Sequence, residues 1–381
     1  MRIAILTTDS REHYRDYLNP HPYFGTAPEA LIQGLSRLGE LEVHVISCLQ
    51  HPVQSPEKLA PQVWYHGLRV PKFGWLRSGY FGCIRAVRKK LAEVQPDLVH
   101  GQGTERDCGL SAVFSGRPNV ITIHGNVAEL ARLFGARPGS YPWVMARLEN
   151  FALPRANGVF CNSRYTEALV RPRAKCAWLV PNPLRAEFFR PIPEQTSGRR
   201  PRLLNVGVIS ANKRQIELLE VAQRLRARGM DFEFRFVGLA PASDRYAREF
   251  LQRIRNAGAF VSHHGVKDTQ GLVEEFDQAA ALVHFSQVES FGLVVAEALA
   301  RQLKVFAARS GGVVDIIEGV EAVELFETTD FAGLEDAVAA WIASGCPRPA
   351  HSAALMCQRY GAEGIARRHL EIYKDVLQAA S

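Results

Sequence analysis

Ser286-Gln-Val-Glu289-Ser-Phe-Gly292-Leu-Val-Val-Ala-Glu297, with the apolar run Ala281-Leu-Val-His-Phe285 just ahead of it, decides the fold. The apolar run has the length and composition of a short buried strand. Phe291 to Gln302 then carries the good helix formers Leu293, Ala296, Ala298, Leu299 and Ala300, which predicts a helix. A helix that opens straight after a strand presents free backbone N–H groups and the positive end of its dipole, a ready site for phosphate. Gly292 in its first turn lets a ligand come close to the backbone, flanked by Ser290, Phe291 and Leu293.

The two carboxylates in this stretch, Glu289 and Glu297, stand eight residues apart. On a helix that spacing is a rise of about 12 Å and a return to nearly the same side. Retaining glycosidases hold their two carboxyls about 5 Å apart around one bond, so this pair is poorly placed as an acid/base couple. It suits opposite ends of one elongated ligand whose phosphates lie near the helix start. Two ordinary glutamates on a solvated helix have the same spacing, and the pair alone leaves both open.

Length and composition agree with a soluble enzyme. A chain of 381 residues is long enough for two or three domains. No apolar run approaches the roughly 20 residues of a membrane span, and the opening Met1-Arg-Ile-Ala-Ile-Leu-Thr-Thr8 reads as a strand rather than a signal peptide. The seven cysteines are scattered, odd in number and never spaced Cys-x-x-Cys. That pattern points to the reducing cytosol and away from a disulfide frame or zinc site. A net charge of +7 suits phosphate-bearing ligands or an anionic membrane surface; no nucleic-acid-binding motif accompanies it. Pro191 to Pro201 mixes proline, glycine and charge like a linker and divides the chain into two similar halves.

In the first half, Ile3 to Leu6 forms a strand, followed by a long loop that holds Gly25. Thr26-Ala-Pro-Glu29 reads as a capping box opening a helix from Leu31 to Leu38, and Glu42 to Ser47 as the next strand. Such a unit lets backbone N–H groups touch a ligand at Gly25; a plain turn glycine fits as well. Residues 80–94, with Trp75 and Leu76 ahead of them, form a basic amphipathic helix carrying Arg85, Arg88, Lys89 and Lys90. It packs on a sheet or lies on a membrane. Val120-Ile-Thr-Ile-His124-Gly125 is a strand ending in a histidine, where open α/β sheets bind ligands. In the second half, Leu203 to Gly207 is a strand and Gln215 to Arg228 a helix. Val208, Lys213 and Arg214 lie between them, and Phe234 to Gly238 follows as a further strand.

Glu289-Ser-Phe-Gly-Leu-Val-Val-Ala-Glu297, taken with Ser310-Gly-Gly312, resembles the Glu-x7-Glu signature of the GT-B glycosyltransferases, specifically the large retaining family 4 (glycosyl transferases group 1). The resemblance covers nearly the whole chain. It implies an α/β fold of GT-B type, two Rossmann-like doubly wound domains facing a central cleft. Residues 1–190 would form the acceptor-side domain, completed by a C-terminal helix at 363–381, and residues 191–362 the nucleotide-sugar domain.

The same resemblance implies roles. Glu297 would bind ribose hydroxyls and Glu289 the donor sugar. Ser290, Phe291, Gly292 and Leu293 would line the diphosphate and sugar, Lys213 would reach the diphosphate, Gly207 and Gly238 would close the strand ends near the donor, and His124 would act at the reacting sugar. Relatives carry arginine, glycine, glycine and proline where this chain has Val208, Arg214, Gln302 and Lys304. Arg214 is the nearest replacement for the lost arginine and joins the donor-site residues. No Asp-x-Asp occurs in the chain, so no metal and no cofactor beyond the nucleotide-sugar donor is expected. The acceptor would be a sugar, a lipid-linked or a small-molecule hydroxyl, met in the cytoplasm or at an anionic membrane face. A nucleotide-sugar epimerase of the same fold and a donor-binding module without catalysis are the alternatives.

Overall fold

The computed structural model describes residues 1–193, 200–321 and 323–380, so the linker-like stretch lies partly outside the described residues. The chain forms two compact units, Met1–Arg185 with Tyr360–Ser381, and Ala186–Arg359. The first holds β1 (Arg2–Leu6), β2 (Glu42–Leu49), β3 (Lys58–Ala60), β4 (Val63–Arg69), β5 (Leu98–Gln102), β6 (Asn119–Ile123), β7 (Gly158–Cys161) and β8 (Ala177–Leu179). They make one sheet in the order β3-β4-β2-β1-β5-β6-β7-β8, parallel except for β3. The second holds β9 (Arg202–Val206), β10 (Glu233–Val237), β11 (Val261–His263), β12 (Ala281–His284), β13 (Lys304–Ala308) and β14 (Val323–Phe326), all parallel, in the order β11-β10-β9-β12-β13-β14. The chain reverses its direction of travel across each sheet once, between β1 and β5 and between β9 and β12. Loops at the carboxyl ends of those strands diverge and leave room for a ligand.

The central strands are apolar on both faces because helices cover both. Along β1, Ala4 and Leu6 join one core with Ile46, Val99, Ile121 and Val159. Ile3 and Ile5 join the other with Val43, Val45, Leu98 and Phe160, the alternation that a strand imposes. The second of these cores is closed by the helix Ala362–Ala380 through Ile365, Leu370, Ile372, Tyr373 and Val376. That helix approaches Thr26–Leu35 so closely that a Cβ at Gly34 would lie 2.2 Å from the Ala362 carbonyl oxygen, which excludes any larger residue there.

Local departures from expectation have identifiable causes. The capping box does not form: Thr26 is already helical, Gly25 is the N-cap with no side-chain cap, and the helix ends at Leu35. The Glu289 to Glu297 helix is shorter than expected, Leu293–Ala300, because Gly292 (φ 98°) and Gln302 (φ 56°) are both left-handed. The units divide near residues 185 and 359 rather than at 190 and 362. Residues 186–191 belong to the second unit because Phe188 packs on Phe276 with ring centroids 5.7 Å apart. The fully buried Arg301 also clasps the carbonyls of Phe188 (3.3 Å), Arg190 (2.5 Å) and Pro191 (3.3 Å). Tyr360 belongs to the first, its carbonyl accepting from Leu184 N at 2.8 Å.

Arg301 also makes a two-nitrogen salt bridge to Asp277, at 2.7 and 2.6 Å. Replacing it leaves a carboxylate and three carbonyls without their donor. Arg301→Leu should lower the stability of the second unit by about 3 kcal/mol, read as a shift in the urea midpoint; an unchanged midpoint would show the clasp to be energetically idle.

Candidate active site

In the second unit, the loops after β9 and β12 meet at the point where the strand order reverses. Gly207 and Gly238 end β9 and β10 backbone to backbone: a Cβ at Gly238 (φ 147°) would lie 2.0 Å from the Gly207 oxygen. Asn212 then stitches the two loops together. Its carbonyl accepts from Gln287 N (2.8 Å), its Nδ2 donates to Val288 O (3.0 Å), and its Oδ1 accepts from Val288 N (3.1 Å). This stitching sets Lys213 against Glu289, and the two form a hydrogen-bonded ion pair. The Glu289 Oε2 also lies 3.0 Å from Nε2 of the buried His284, which is 3.2 Å from Ser286 Oγ. Burial alone would raise the Glu289 carboxyl; the Lys213 charge and the His284 hydrogen bond overcome it and hold the group well below its ordinary value. The loop therefore presents a fixed carboxylate and an ammonium at one place.

The helix Leu293–Ala300 starts beside this pair. Its N-cap Gly292 offers no side-chain cap, and a Cβ there would sit 3.0 Å from Val313 Cγ2 as well as in a left-handed conformation. The Ser-Gly-Gly segment is tied in by Gly312 N, which donates to the Glu289 carbonyl at 2.9 Å. Ser310 Oγ is buried and has no hydrogen-bond partner among the described residues. Phe291 and Glu297 are buried, Ser290 and Leu293 half-buried. The N-terminal N–H groups, Lys213 and the Ser310 hydroxyl form a donor-rich corner suited to an anion.

Arg214 does not stand beside Lys213 at Glu289. It is the left-handed N-cap (φ 56°) of the helix Gln215–Ala227. Its guanidinium donates to the Thr328 carbonyl and lies 5.8 Å from the Phe331 ring centroid. With the Gln287 amide oxygen turned toward it, Arg214 Nε and Nη2 are 3.2 and 2.8 Å away. Arg214 and Gln302, where the family resemblance implies glycine, both hold a positive φ of 56°, at a cost of roughly 1–2 kcal/mol each. Val208 is 48% exposed, and its carbonyl accepts from Gln215 Nε2 at 3.2 Å.

In the first unit, His124 follows β6 with Nε2 2.9 Å from Gln102 Oε1. Burial draws its ring down to about 4, so it is neutral at physiological pH. Two glutamates that the sequence did not single out for this purpose organise its surroundings. Glu149 is buried and accepts from Val127 N (3.1 Å), Ala128 N (3.3 Å), Thr104 Oγ1 (2.8 Å) and Arg173 Nη1 (3.1 Å), capping the helix that follows His124. Glu105 accepts from Gly125 N at 2.8 Å, and burial pushes its carboxyl up to about 7. No motif announces Asn212, Glu105 or Gln102, because their partners are backbone groups or residues remote in sequence. Gly25 has an ordinary φ of −58°, and a Cβ there would make only a normal contact with Pro28, so nothing in its surroundings demands glycine.

The cysteines are less scattered than their spacing suggests. Cys48 at the end of β2, Cys83 in the helix Phe81–Val94 and Asp107 before the helix Cys108–Val113 are buried, with their ligand atoms all within 4.8 Å of one another. Two thiols and a carboxylate are donors that a thiophilic ion such as zinc accepts. The cysteines here also pack as small apolar groups in the core with Val70, Trp75 and Val87.

The Lys213–Glu289 pair has a signature in pH. The folded-state carboxyl is held below its ordinary value of 4.5, so the stabilisation is fully present above that value and is lost as pH falls through it toward the lower folded value. The difference in urea midpoint between the wild type and Glu289→Gln should therefore narrow as pH is lowered from 6 to below 4.5. A constant difference across that range would dissociate Glu289 from Lys213.

Comparison with known proteins agrees with this geometry. Residues 27–188 match the model described as Glycosyltransferase Family 4, and residues 190–360 the model described as Glycosyl transferases group 1. Over 254 residues the chain is 27% identical to the gpi3 subunit of phosphatidylinositol N-acetylglucosaminyltransferase from Schizosaccharomyces pombe, covering 62% of this chain and 52% of that protein. The chain thus spans about half the length of that curated relative. Among solved structures, sucrose-phosphate synthase from Thermosynechococcus elongatus superposes with a TM-score of 0.79 at 19% identity, over 100% of both chains. Anabaena HepE in complex with UDP and glucose superposes with a TM-score of 0.69 at 17% identity, over 98% of this chain and 100% of that one. Two successive glycosyltransferase domain models and two parallel-sheet Rossmann-like units in the same order lead to one conclusion: the chain belongs to the GT-B glycosyltransferases.

Proposed function

We propose that the protein transfers a sugar from a nucleoside-diphosphate sugar to a hydroxyl acceptor with retention of anomeric configuration. The observation that carries this reading is the ammonium of Lys213 fixed by Glu289 beside the uncapped start of the helix Leu293–Ala300. As the bond from the anomeric carbon to the phosphate oxygen breaks, negative charge grows on the leaving diphosphate. Preorganised N–H groups and a fixed cation stabilise it most where water is excluded. The acceptor oxygen bonds to the anomeric carbon on the face the diphosphate is leaving, and its proton passes to a phosphate oxygen. No carboxylate nucleophile is required. Glu297 is assigned to the ribose hydroxyls, Glu289 and His124 to hydroxyls of the transferred sugar. With no Asp-x-Asp in the chain, the proposed reaction uses no metal clamp.

The test is release of nucleoside diphosphate from a panel of nucleotide sugars in excess chelator, with and without hydroxyl acceptors. Acceptor-dependent release supports transfer; an epimerised nucleotide sugar from donor alone selects the epimerase; nucleotide binding with neither product leaves a donor-binding module. In an active preparation, Lys213→Ala should lower turnover roughly 100-fold, or about 2.7 kcal/mol, and Glu297→Ala should weaken free-nucleotide binding. Arg214→Ala, whose guanidinium is held by Thr328 and Gln287, should cost far less than Lys213→Ala. Equal losses at 213 and 214 would show that Arg214 shares the phosphate with Lys213, and no loss at either would contradict the assignment of Lys213 as the phosphate cation.

A membrane location is the second part of the proposal. The helix Phe81–Val94 buries Cys83, Val87, Leu91 and Val94 and turns Arg85, Arg88 and Lys89 outward. At its start Phe73 and Phe81 are 79% and 65% exposed beside Lys72 and Arg77. Trp75 and Tyr80 are not part of this surface: they lie in the core, Trp75 Nε1 donating to Val70 O at 2.9 Å. Two exposed aromatics with cations close to them in the sequence suit the cytoplasmic leaflet of an anionic bilayer, where a lipid-linked acceptor would be met. Among the described residues no helix is long and apolar enough to cross a membrane. Sedimentation with anionic vesicles at physiological salt should fall when Arg85, Arg88 and Lys89 are neutralised or Phe73 and Phe81 are changed to serine. Absence of wild-type binding would reduce this surface to an ordinary solvated face.

A further inference from the structure

A row of buried polar side chains runs through the first unit to His124. Tyr373, on the helix Ala362–Ala380, places its Oη 2.6 Å from His100 Nδ1. His100 Nε2 is 2.6 Å from Thr122 Oγ1 and 3.0 Å from Gln102 Nε2. The Gln102 Oε1 is 2.9 Å from His124 Nε2. His100, Gln102, Thr122 and Tyr373 are all buried, so no member can trade its partner for water. At the outer end the pattern stops: His124 Nδ1 is buried and makes no hydrogen bond of normal geometry among the described residues, although the Asn182 side chain lies close enough to favour the charged ring. Leaving such an atom unpartnered costs roughly 1–3 kcal/mol, and in native folds such a group calls for an explanation, a catalytic role or a bound molecule among them.

We propose that Gln102 is a positioning residue: its amide oxygen holds the Nε2–H of His124 and so leaves Nδ1 as the acceptor for a hydroxyl of the transferred sugar. This rests on the assignment of His124 made above. A neutral amide suits the task where a carboxylate would not. It fixes the tautomer and the rotation of the ring without adding charge, whereas a carboxylate would stabilise the imidazolium and convert Nδ1 into a donor. Burial and the neighbouring His369 oppose the charged ring, while the Asn182 side chain favours it and is outweighed. His100 in β5 and His369 on the terminal helix are buried and disfavour a second charge, Asn182 is neutral, and Glu105 is committed to the backbone at Gly125.

Side-chain nitrogen-15 NMR of histidine-labelled protein, with His124 assigned through His124→Asn, reads the tautomer without relying on activity. The wild type should show His124 as the neutral Nε2–H form at pH 7. In Gln102→Glu the His124 titration midpoint should rise by at least about one pH unit, and Gln102→Leu should lose the tautomer preference. In transfer assays Gln102→Leu should lower kcat at least about tenfold with nucleotide affinity unchanged, and Gln102→Glu should lose activity at low pH and regain it as pH rises past the new midpoint. Gln102→Glu keeps the shape of the native side chain, so it stands if Gln102→Leu folds poorly. An Nδ1–H tautomer in the wild type, or His124 signals indifferent to both substitutions, overturns the positioning role. The expected NMR with transfer unmoved overturns instead the sugar assignment of His124, and so separates failure of the functional reading from failure of this one.

Discussion

A half-buried carboxylate and ammonium held against each other are the constraint around which the second unit's loops are arranged. Glu289 remains charged because Lys213 and His284 face it. Lys213 is held there because Asn212 stitches its loop to residues 287 and 288, and Gly312 is tied to the Glu289 carbonyl. Separating the pair would strand one charge in a poorly hydrated place, so the loops after β9, β12 and β13 are held as a set. A nucleoside diphosphate meets a site whose dipoles are already oriented, the condition under which electrostatic stabilisation of a leaving group needs least reorganisation.

The first unit solves a related problem by different means. There the loops around His124 are held by carboxylates that accept from backbone N–H groups, Glu149 at the start of the following helix and Glu105 at Gly125. Glu149 is also paired with Arg173 at 3.1 Å, whereas Glu105 sits fully buried against the backbone at Gly125.

Much of this was legible before any coordinates. The run from Ala281 to Glu297 announces a strand, a glycine turn and a helix, because buried parallel strands and helix formers leave a clear compositional trace. The places of His124 and Lys213, each in a loop after a strand, were also legible. What was not legible depended on backbone partners or on spatial coincidence. Asn212 is one polar loop residue among many until Val288 is opposite it, and Cys48, Cys83 and Asp107 come from three separate elements. The capping box at Thr26 matched its pattern and still failed, because Gly25 takes the cap position and Thr26 is drawn into the helix. Arg214 could be named as a cation by sequence, but only the Thr328 carbonyl and the Gln287 amide show where its charge is used.

The close approach of Gly34 to Ala362 has a consequence for the birth of the molecule. The apolar face formed by Ile3, Ile5, Val43 and Val45 is covered by Ile365, Leu370 and Tyr373, which leave the ribosome more than three hundred residues later. Residues 186–359 contain their own core and can complete it while the first half still waits for its cover. The half that is made first is therefore finished last. During synthesis that face is covered only in part, by Leu31, Ile32 and Leu35 of the helix Thr26–Leu35, and truncation of the last two dozen residues would leave that state permanent.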